Sequence, residues 1–140
     1  MKVRVYTGND RDDVISLWNE CGLVQQQNDP LKDIDRKLGV DPDLFLVGVH
    51  ENAIVATVMG GYEGHRGWIN YLAVRPVDQR KGFGRVIMQA VEERLQNKGC
   101  PKINLQIRTS NQDVVSFYEA IGYNVDKVVC LGKRLVSDSS

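Results

Sequence analysis

Residues 68–85 read WINYLAVRPVDQRKGFGR, and this stretch decides the fold. Its first half is mostly apolar up to Val74, which predicts a strand that ends at Pro76. From Phe83 onward, apolar residues recur every three or four positions as far as Leu95, which predicts an amphipathic helix. The sequence therefore predicts a strand, a loop containing glycine, and a helix that begins inside the loop.

The loop between this strand and this helix has the composition of an anion cradle. The first N–H groups of a helix have no partner within it and carry the positive end of its dipole. Gly82 and Gly84 have no side chain, so a ligand can approach the backbone closely. Arg80, Lys81 and Arg85 add positive charge. We predict that a phosphate or pyrophosphate binds here.

Two common kinds of phosphate loop are excluded. A P-loop needs Lys and then Ser or Thr after its final glycine, whereas Arg85 and Val86 follow Gly84. A dinucleotide fingerprint beginning at Gly82 needs a small residue where Ile87 stands, and an acid near position 102, which is Lys102. A plain turn and helix start, with glycine used for geometry and with surface cations, stays open as the alternative.

Outward from this stretch the chain alternates between strand and helix patterns. Further strands are predicted at residues 3–5, 44–49, 54–59, 103–107, 123–125 and 128–135. Further helices are predicted after Asp10 and Asp29, each of which is expected to cap its helix, and from Asn111. Gly60 and Gly61 are expected to begin a loose connection. The order β-α-α-β-β-β-α-β-α-β-β predicts an α+β fold, with a mixed sheet, helices on both faces, and one crossover that makes strands 68–74 and 103–107 parallel.

Length and composition suit a single domain over residues 1–140 with a short flexible tail at 137–140. No apolar run is long enough to span a membrane, and residues 1–4 do not resemble a secretory leader. The three cysteines are an odd number without a CxxC pair, and there are two histidines. We therefore expect neither a disulfide framework nor a metal site, and a cytoplasmic protein.

Charge is balanced overall but not along the chain. Lys plus Arg and Asp plus Glu each number 18, which argues against a nucleic-acid partner. Residues 1–70 carry a net charge of −4 and residues 71–140 a net charge of +4. The basic half fits a local anionic ligand, although chance placement of surface charge explains the difference equally well.

Two motifs together resemble one known family. Gln79-x-x-Gly82-x-Gly84 is similar to the pyrophosphate-binding motif of the GCN5-related N-acetyltransferase (GNAT) superfamily. About 30 residues later, Asn111, Phe117-Tyr118 and Gly122-Tyr123 resemble the second signature of that superfamily. The resemblance covers nearly the whole chain. It extends to the small bacterial YpeA-type proteins through segments such as Thr57–Tyr62, Gly64–Gly67 and Leu131–Leu135.

The resemblance implies the GNAT acyl-CoA N-acyltransferase fold, with a central sheet of six to seven strands and acetyl-CoA as co-substrate. Acetyl-CoA is expected between strands 68–74 and 103–107, which splay apart in this family. The backbone groups expected to hold it belong to Leu72, Ala73, Val74, Gln79, Arg80, Lys81, Gly82, Phe83, Gly84 and Arg85. An N–H of the first strand would face the thioester oxygen. Asn111 is expected either to contact the pantetheine arm or to cap its helix.

The resemblance also assigns candidate catalytic residues. Tyr118 is expected to place its hydroxyl at the coenzyme A sulfur and to protonate the departing thiolate, although its position on an apolar helix face also suits a core residue. The amine acceptor needs a base, and strand 68–71 offers no carboxylate. Glu63 and His65, in the preceding loop, are the candidates, with a merely solvated loop as the alternative; Tyr62 and Tyr71 are further candidates.

The sequence therefore predicts an acetyl-CoA-dependent N-acetyltransferase that moves an acetyl group to a primary amine by direct transfer in a ternary complex. The expected partners are acetyl-CoA and an amine of unknown identity, which would enter beside residues 22–38 and 62–68. A catalytically silent acyl-CoA-binding module, sensory or regulatory, is the alternative, and a longer acyl chain or a hydroxyl acceptor is another. No metal is expected, and a homodimer stays open.

Overall fold

A mixed sheet forms the centre of the computed structural model, which describes residues 1–138. Its five strands lie side by side in chain order: β1 (Lys2–Val5), β2 (Phe45–His50), β3 (Ala53–Tyr62), β4 (Gly67–Val74) and β5 (Ile103–Leu105). Pairing is antiparallel from β1 to β4 and parallel between β4 and β5. The predicted parallel crossover is therefore confirmed.

Four α-helices cover the two faces of this sheet: α1 (Arg11–Glu20), α2 (Pro30–Leu38), α3 (Phe83–Asn97) and α4 (Gln112–Ala120). On one face, α3 and α4 bury residues such as Ile87, Val91 and Tyr118 against β2, β3 and β4. On the other face, α1 and α2 bury Trp18 and Ile34. Each face of the sheet therefore has an apolar core of its own, as an α+β layer structure requires.

The predicted caps of the first two helices have different outcomes. Asp29 caps α2 as predicted, because its side chain accepts hydrogen bonds from the N–H groups of Leu31 and Lys32. Asp10 does not cap α1. It is buried, accepts from the Thr7 N–H, and forms an ion pair with Arg4 at 2.7 Å, so it joins the end of β1 to the start of α1.

The prediction that Gly60 and Gly61 form a loose connection is wrong, because both lie inside β3. Gly60 is buried against α3, and a Cβ atom added there would lie 2.7 Å from the Cγ2 atom of Val91. The absence of a side chain therefore reflects close packing of a helix on a strand.

The two strands predicted at residues 123–125 and 128–135 are absent from the structure, so the described sheet has five strands and not six to seven. Strand β5 is itself only three residues long, so its free edge offers few backbone partners for a further ladder. Side chains hold this segment instead. Asp126 binds Lys102 and Asn104 at one end, and Asp138 binds Arg36 at the other.

The end of the described chain is anchored to α2. The Arg36 guanidinium donates two hydrogen bonds to the carboxylate of Asp138, at 2.8 and 3.1 Å. The Asp138 side chain is almost completely buried. The rest of the tail for which flexibility was predicted, residues 139 and 140, lies outside the described residues.

Candidate functional site

Strand β4 parts from β5 at a bulge. Opposite β3, Thr57 pairs with Ala73 and Met59 with Asn70, so β4 carries one residue more than β3 between these pairs. Tyr71 takes up the extra length with a φ of 51°, in the left-handed region that residues with a side chain seldom adopt. Pairing between β4 and β5 ends just before this point, at Ile69 and Leu105. A gap therefore opens between the two parallel strands.

The backbone beyond the bulge has groups free to face this gap. Ala73 pairs with β3, and the Arg75 N–H donates to the Val55 carbonyl, so these alternate residues direct their polar groups toward β3. Leu72 and Val74, on either side of Ala73, direct their backbone N–H and carbonyl groups away from β3. The Val74 carbonyl is already engaged, because it accepts from the Gln79 amide and from the Cys21 thiol. The N–H groups of Leu72 and Val74 are the donors available at the gap.

The side chains of Thr57, Trp18 and Asp33 hold Tyr71 at the bulge, the first two of them completely buried. The Thr57 hydroxyl donates to the Tyr71 carbonyl at 2.9 Å and accepts from the Trp18 indole N–H at the same distance. The Tyr71 ring stacks on Trp18 with centroids 3.9 Å apart, and its hydroxyl donates to Asp33 of α2 at 2.5 Å. Burial, together with the hydrogen bond to Asp33, raises the pKa of Tyr71 above its usual range.

The loop before α3 offers a row of unpaired backbone N–H groups. No side chain caps α3, and its first internal hydrogen bond runs from the Val86 N–H to the Gly82 carbonyl. Across residues 80–85 no N–H has a partner within the part of the chain that the structure describes. Arg80 and Gly82 adopt positive φ angles of 67° and 83°, and Gly82 adopts its angle without a Cβ penalty. The loop geometry therefore depends on Gly82.

The three cations of this loop do not share one role. Lys81 binds Asp78 at 2.8 Å, and Arg75 binds the other oxygen of the same carboxylate at 2.6 Å. These two cations hold the pKa of Asp78 below its usual range, Lys81 having the larger effect. Arg80 and Arg85 are exposed and have no ion-pair partner within residues 1–138. Arg80 and Arg85 are the cations left for an anion, whereas Lys81 stiffens the loop.

Gly84 brings together the two motifs found in the sequence. A Cβ atom added at Gly84 would lie 3.1 Å from the Phe117 ring of α4 and 3.6 Å from the side chain of Val74. The first turn of α3, the end of β4 and α4 therefore meet at this glycine. Packing explains Gly84, whereas backbone conformation explains Gly82.

Tyr118 lies next to this contact, 6% exposed in the core cluster that includes Ile69 and Ile87. Its hydroxyl has no hydrogen-bond partner among the described residues, and no fully enclosed polar side-chain atom there lacks one. The hydroxyl therefore reaches open space. Burial raises the pKa of Tyr118 above its usual range, so the phenol stays protonated. Both roles predicted for Tyr118, core residue and hydroxyl donor, are compatible with this position.

Asn111 stands at the N-cap position of α4, but its side chain makes no capping hydrogen bond. The side chain is exposed. The structure therefore offers no support for the capping alternative, and the amide of Asn111 is available to a ligand.

The family model described as the acetyltransferase (GNAT) family matches residues 11–123. The chain belongs to the GNAT acetyltransferase family. A protein named acetyltransferase from Yersinia enterocolitica is 44% identical over 138 residues, which is 99% of this chain and 98% of that protein. One of the same name from Sodalis glossinidius is 45% identical over 139 residues, with the same coverage of both chains. The resemblance seen in the sequence is confirmed.

Solved structures show the same GNAT fold. The aminoglycoside 6'-N-acetyltransferase of Acinetobacter haemolyticus has a TM-score of 0.78 at 14% identity, over 97% of this chain and all of that chain. Naa20 of Chaetomium thermophilum, solved with a bisubstrate analogue, has a TM-score of 0.73 at 22% identity, over 89% and 72% of the two chains. These identities support the fold alone. Family membership makes this protein a transferase, and the family implies acetyl-CoA and an amine as its substrates.

In this chain, Glu63 and His65 do not lie at the gap between β4 and β5. Both are exposed in the loop between β3 and β4, and Leu72 lies six positions beyond Arg66, about 20 Å along an extended strand. The Glu63 carboxylate accepts from the backbone N–H groups of His65 and Arg66, and the Arg66 bond chiefly lowers the pKa of Glu63. A lowered pKa makes this carboxylate a weaker base. Their catalytic roles stay predictions.

The acceptor was expected beside residues 22–38 and 62–68, and of these two segments the first makes the contact with β4. Within residues 22–38, the Asp33 carboxylate reaches β4 through the Tyr71 hydroxyl. Asp138 lies on the same side, bound to Arg36 and to the Asp29 N–H. Tyr62 instead donates its hydroxyl to backbone carbonyls of Gly64 and Gly99. Two carboxylates, those of Asp33 and Asp138, therefore lie near Tyr71, and both are paired with Arg36.

The residues that hold the bulge were missed by the sequence analysis. Thr57 is the one polar side chain in the run from Ile54 to Met59, and it is completely buried. A lone hydroxyl in a buried strand needs a partner, and that was the available signal. The pairing of Thr57 with Trp18 spans 39 positions of the sequence. No local pattern reports a contact of that range.

Among residues 1–138, no three His, Cys, Asp or Glu side chains cluster as a metal site requires. Of the helices in the same range, none combines the length and the apolar character that crossing a membrane demands.

Proposed function

We propose that this protein is an acetyl-CoA-dependent N-acetyltransferase that moves the acetyl group directly to a primary amine while both substrates are bound. One observation carries the proposal. The unpaired N–H groups at the start of α3 and the open edge of β4 meet where Gly84 contacts Phe117 and Val74, and the Tyr118 ring lies 5.1 Å from the Phe117 ring. We also propose that residues 1–140 form a single GNAT domain.

The residues present fit acetyl-CoA. Its diphosphate would bind the N–H groups of residues 80–85, with Arg80 and Arg85 at the rim. Its pantetheine arm would lie along the free edge of β4 beside Leu72 and Val74, within reach of the exposed amide of Asn111. Gln79 and Lys81 would act through the loop, because their side chains are bound to Val74 and Asp78.

Tyr118 would donate a hydrogen bond to the sulfur as the carbon–sulfur bond breaks. Because a thiol has a pKa of about 8.5 and burial raises the pKa of Tyr118 above that of a free phenol, a complete proton transfer from phenol to thiolate is unfavourable. A hydrogen bond from the neutral phenol still stabilises the developing charge. The thiolate then takes its proton from solvent or from the acceptor's ammonium.

The state of Cys21 supports direct transfer. This residue follows α1 and lies beside the end of β4, so it is the cysteine to consider as a nucleophile. Its thiol donates to the Val74 carbonyl at 3.3 Å, and burial raises the pKa of Cys21. The thiolate that an acetyl-enzyme intermediate needs is therefore disfavoured at this position.

The amine acceptor is proposed to enter on the side of Asp33 and Tyr71, where carboxylates favour a cation. Similar structures include an aminoglycoside 6'-N-acetyltransferase, whose name gives N-acetylation to that protein. Here the acceptor class is a primary amine on a small molecule or a protein. Because Glu63 and His65 lie in the loop before β4, far from Leu72, we propose that the amine loses its proton to solvent. We place the protein in the cytoplasm; a homodimer remains a proposal.

The experiment measures acetyl-CoA binding by calorimetry and then release of free thiol across a panel of primary amines. We expect micromolar binding, release of coenzyme A with at least one amine, and about tenfold weaker binding in R80A/R85A. R11A, which removes an exposed arginine of α1, is the matched control and should bind like the wild type. Binding without turnover for any amine would favour the silent acyl-CoA-binding module, and absence of binding would overturn the proposal.

A further inference from the structure

The peptide group between Tyr71 and Leu72 has its direction fixed by a buried hydroxyl. The Thr57 side chain is completely buried, and its oxygen lies 2.9 Å from both the Trp18 indole nitrogen and the Tyr71 carbonyl oxygen. An indole N–H is a donor only, so Thr57 must accept from it. The single proton of the Thr57 hydroxyl is therefore left for the Tyr71 carbonyl, and the direction of both hydrogen bonds follows from chemistry.

This direction determines where the Leu72 N–H points. In a planar trans peptide, the carbonyl of one residue and the N–H of the next point in opposite directions. Thr57 draws the Tyr71 carbonyl toward the face that carries α1. The Leu72 N–H therefore points away from that face, at the position where β4 has just parted from β5.

A second set of contacts keeps this peptide from rotating. The Tyr71 ring is stacked on Trp18, and its hydroxyl is bound to Asp33. Residues of α1, α2 and β3 thus hold Tyr71 by its carbonyl, its ring and its hydroxyl. A residue with a side chain is strained at φ 51°, so such a conformation persists only where its surroundings impose it.

We propose that Thr57 is a positioning residue of acetyl transfer, which aims the Leu72 N–H at the thioester carbonyl oxygen through the Tyr71 carbonyl. Trp18 supports it by fixing the orientation of the Thr57 hydroxyl. The assignment rests on the proposed function. The Leu72 N–H would bind the thioester oxygen, whereas the completely buried side chains of Thr57 and Trp18 orient this donor without touching acetyl-CoA.

The test compares the affinities for acetyl-CoA and for coenzyme A, because only acetyl-CoA carries the thioester carbonyl. In T57V the isosteric side chain has no hydroxyl, and the Tyr71 carbonyl loses its partner. We expect the preference for acetyl-CoA over coenzyme A to fall about three- to tenfold, while coenzyme A itself binds as before. T57S keeps the hydroxyl and should keep the preference. With an accepted amine, kcat of T57V should fall about tenfold or more with little change in the KM for the amine.

Outcomes separate this inference from the proposed function. If the wild type binds neither ligand, the proposed function fails. If the wild type prefers acetyl-CoA and T57V shows the same preference, the inference fails and the proposed function stands.

A measurement on the wild type covers the case in which T57V does not fold. The amide proton resonance of Leu72 should move downfield with acetyl-CoA and much less with coenzyme A. An equal response to both ligands would overturn the inference.

Discussion

Tyr118 combines two properties that a core residue seldom has together. Its ring is packed in an edge-on arrangement against Phe117 and Tyr123, at centroid distances of 5.1 and 5.4 Å. Its hydroxyl has no partner among residues 1–138. Because the ring is buried while the hydroxyl reaches open space, the phenol is available as a hydrogen-bond donor to a ligand.

Replacing Tyr118 by Phe tests this interpretation. We expect kcat for acetyl transfer to fall about tenfold or more, because the leaving thiolate loses its hydrogen-bond donor. The free energy of unfolding should change by less than about 1 kcal/mol, because no protein hydrogen bond is lost. Steady-state kinetics and urea unfolding measure the two effects. A large loss of stability with unchanged kcat would instead assign Tyr118 to the core alone.

At the scale of elements, the packing of α3 on β3 depends on Gly60. A Cβ atom there would overlap the side chain of Val91, which is completely buried. The helix lies close to the strand because nothing projects from the strand at that point.

We expect G60A to lower the free energy of unfolding by about 1–3 kcal/mol through overpacking, as measured by urea denaturation. Adding V91A removes the methyl group that is struck, so the double variant should lose less than the sum of the two single effects. G8A is the control, because a Cβ there meets nothing within 4 Å. Strictly additive losses would show that α3 does not sit on Gly60 as described.

The four helices, the first five strands and the loop before α3 could be predicted from the sequence, whereas the bulge could not. Periodicity and glycine signals located α3, α4 and the loop at residues 80–85, because these signals are local. The turning point at Tyr71 depends on Thr57, Trp18 and Asp33, which lie on three other elements. The two C-terminal strands were predicted from the local sequence alone, which does not reveal whether the neighbouring strand offers an edge to pair with.

At the scale of the whole molecule, three buried aspartates form ion pairs that fix one segment of the chain against another. Asp10 binds Arg4, Asp78 binds Lys81 and Arg75, and Asp138 binds Arg36. In each carboxylate the pKa lies below its usual range, and the largest cause is the hydrogen bond from Arg4, Lys81 or Arg36 respectively.

The sign of the pH dependence follows from these shifts. An unfolded chain regains the usual aspartate pKa of about 3.9, so in acid it binds more protons than the folded chain. The stabilisation is therefore complete above about pH 5 and is lost as the pH falls through 4 and below. We expect thermal melting temperatures to fall steeply over that range.

The variant D138N should melt lower at pH 7 and should show a shallower fall in acid. D12N is its control, because the Asp12 carboxylate is exposed and lies 3.7 Å from Arg11. Identical acid profiles for D138N and the wild type would contradict the role given to the Arg36 pair.

The ring of Phe117 has one further consequence. It packs against Gly84 in the first turn of α3, and the next residue in the chain is Tyr118. Under the proposed function, a diphosphate bound at the first turn of α3 would therefore also restrain the Phe117 ring and, through it, the Tyr118 ring. A truncated thioester that lacks the nucleotide would leave both rings unrestrained, so the nucleotide half of acetyl-CoA would help to order residues that it does not itself react with.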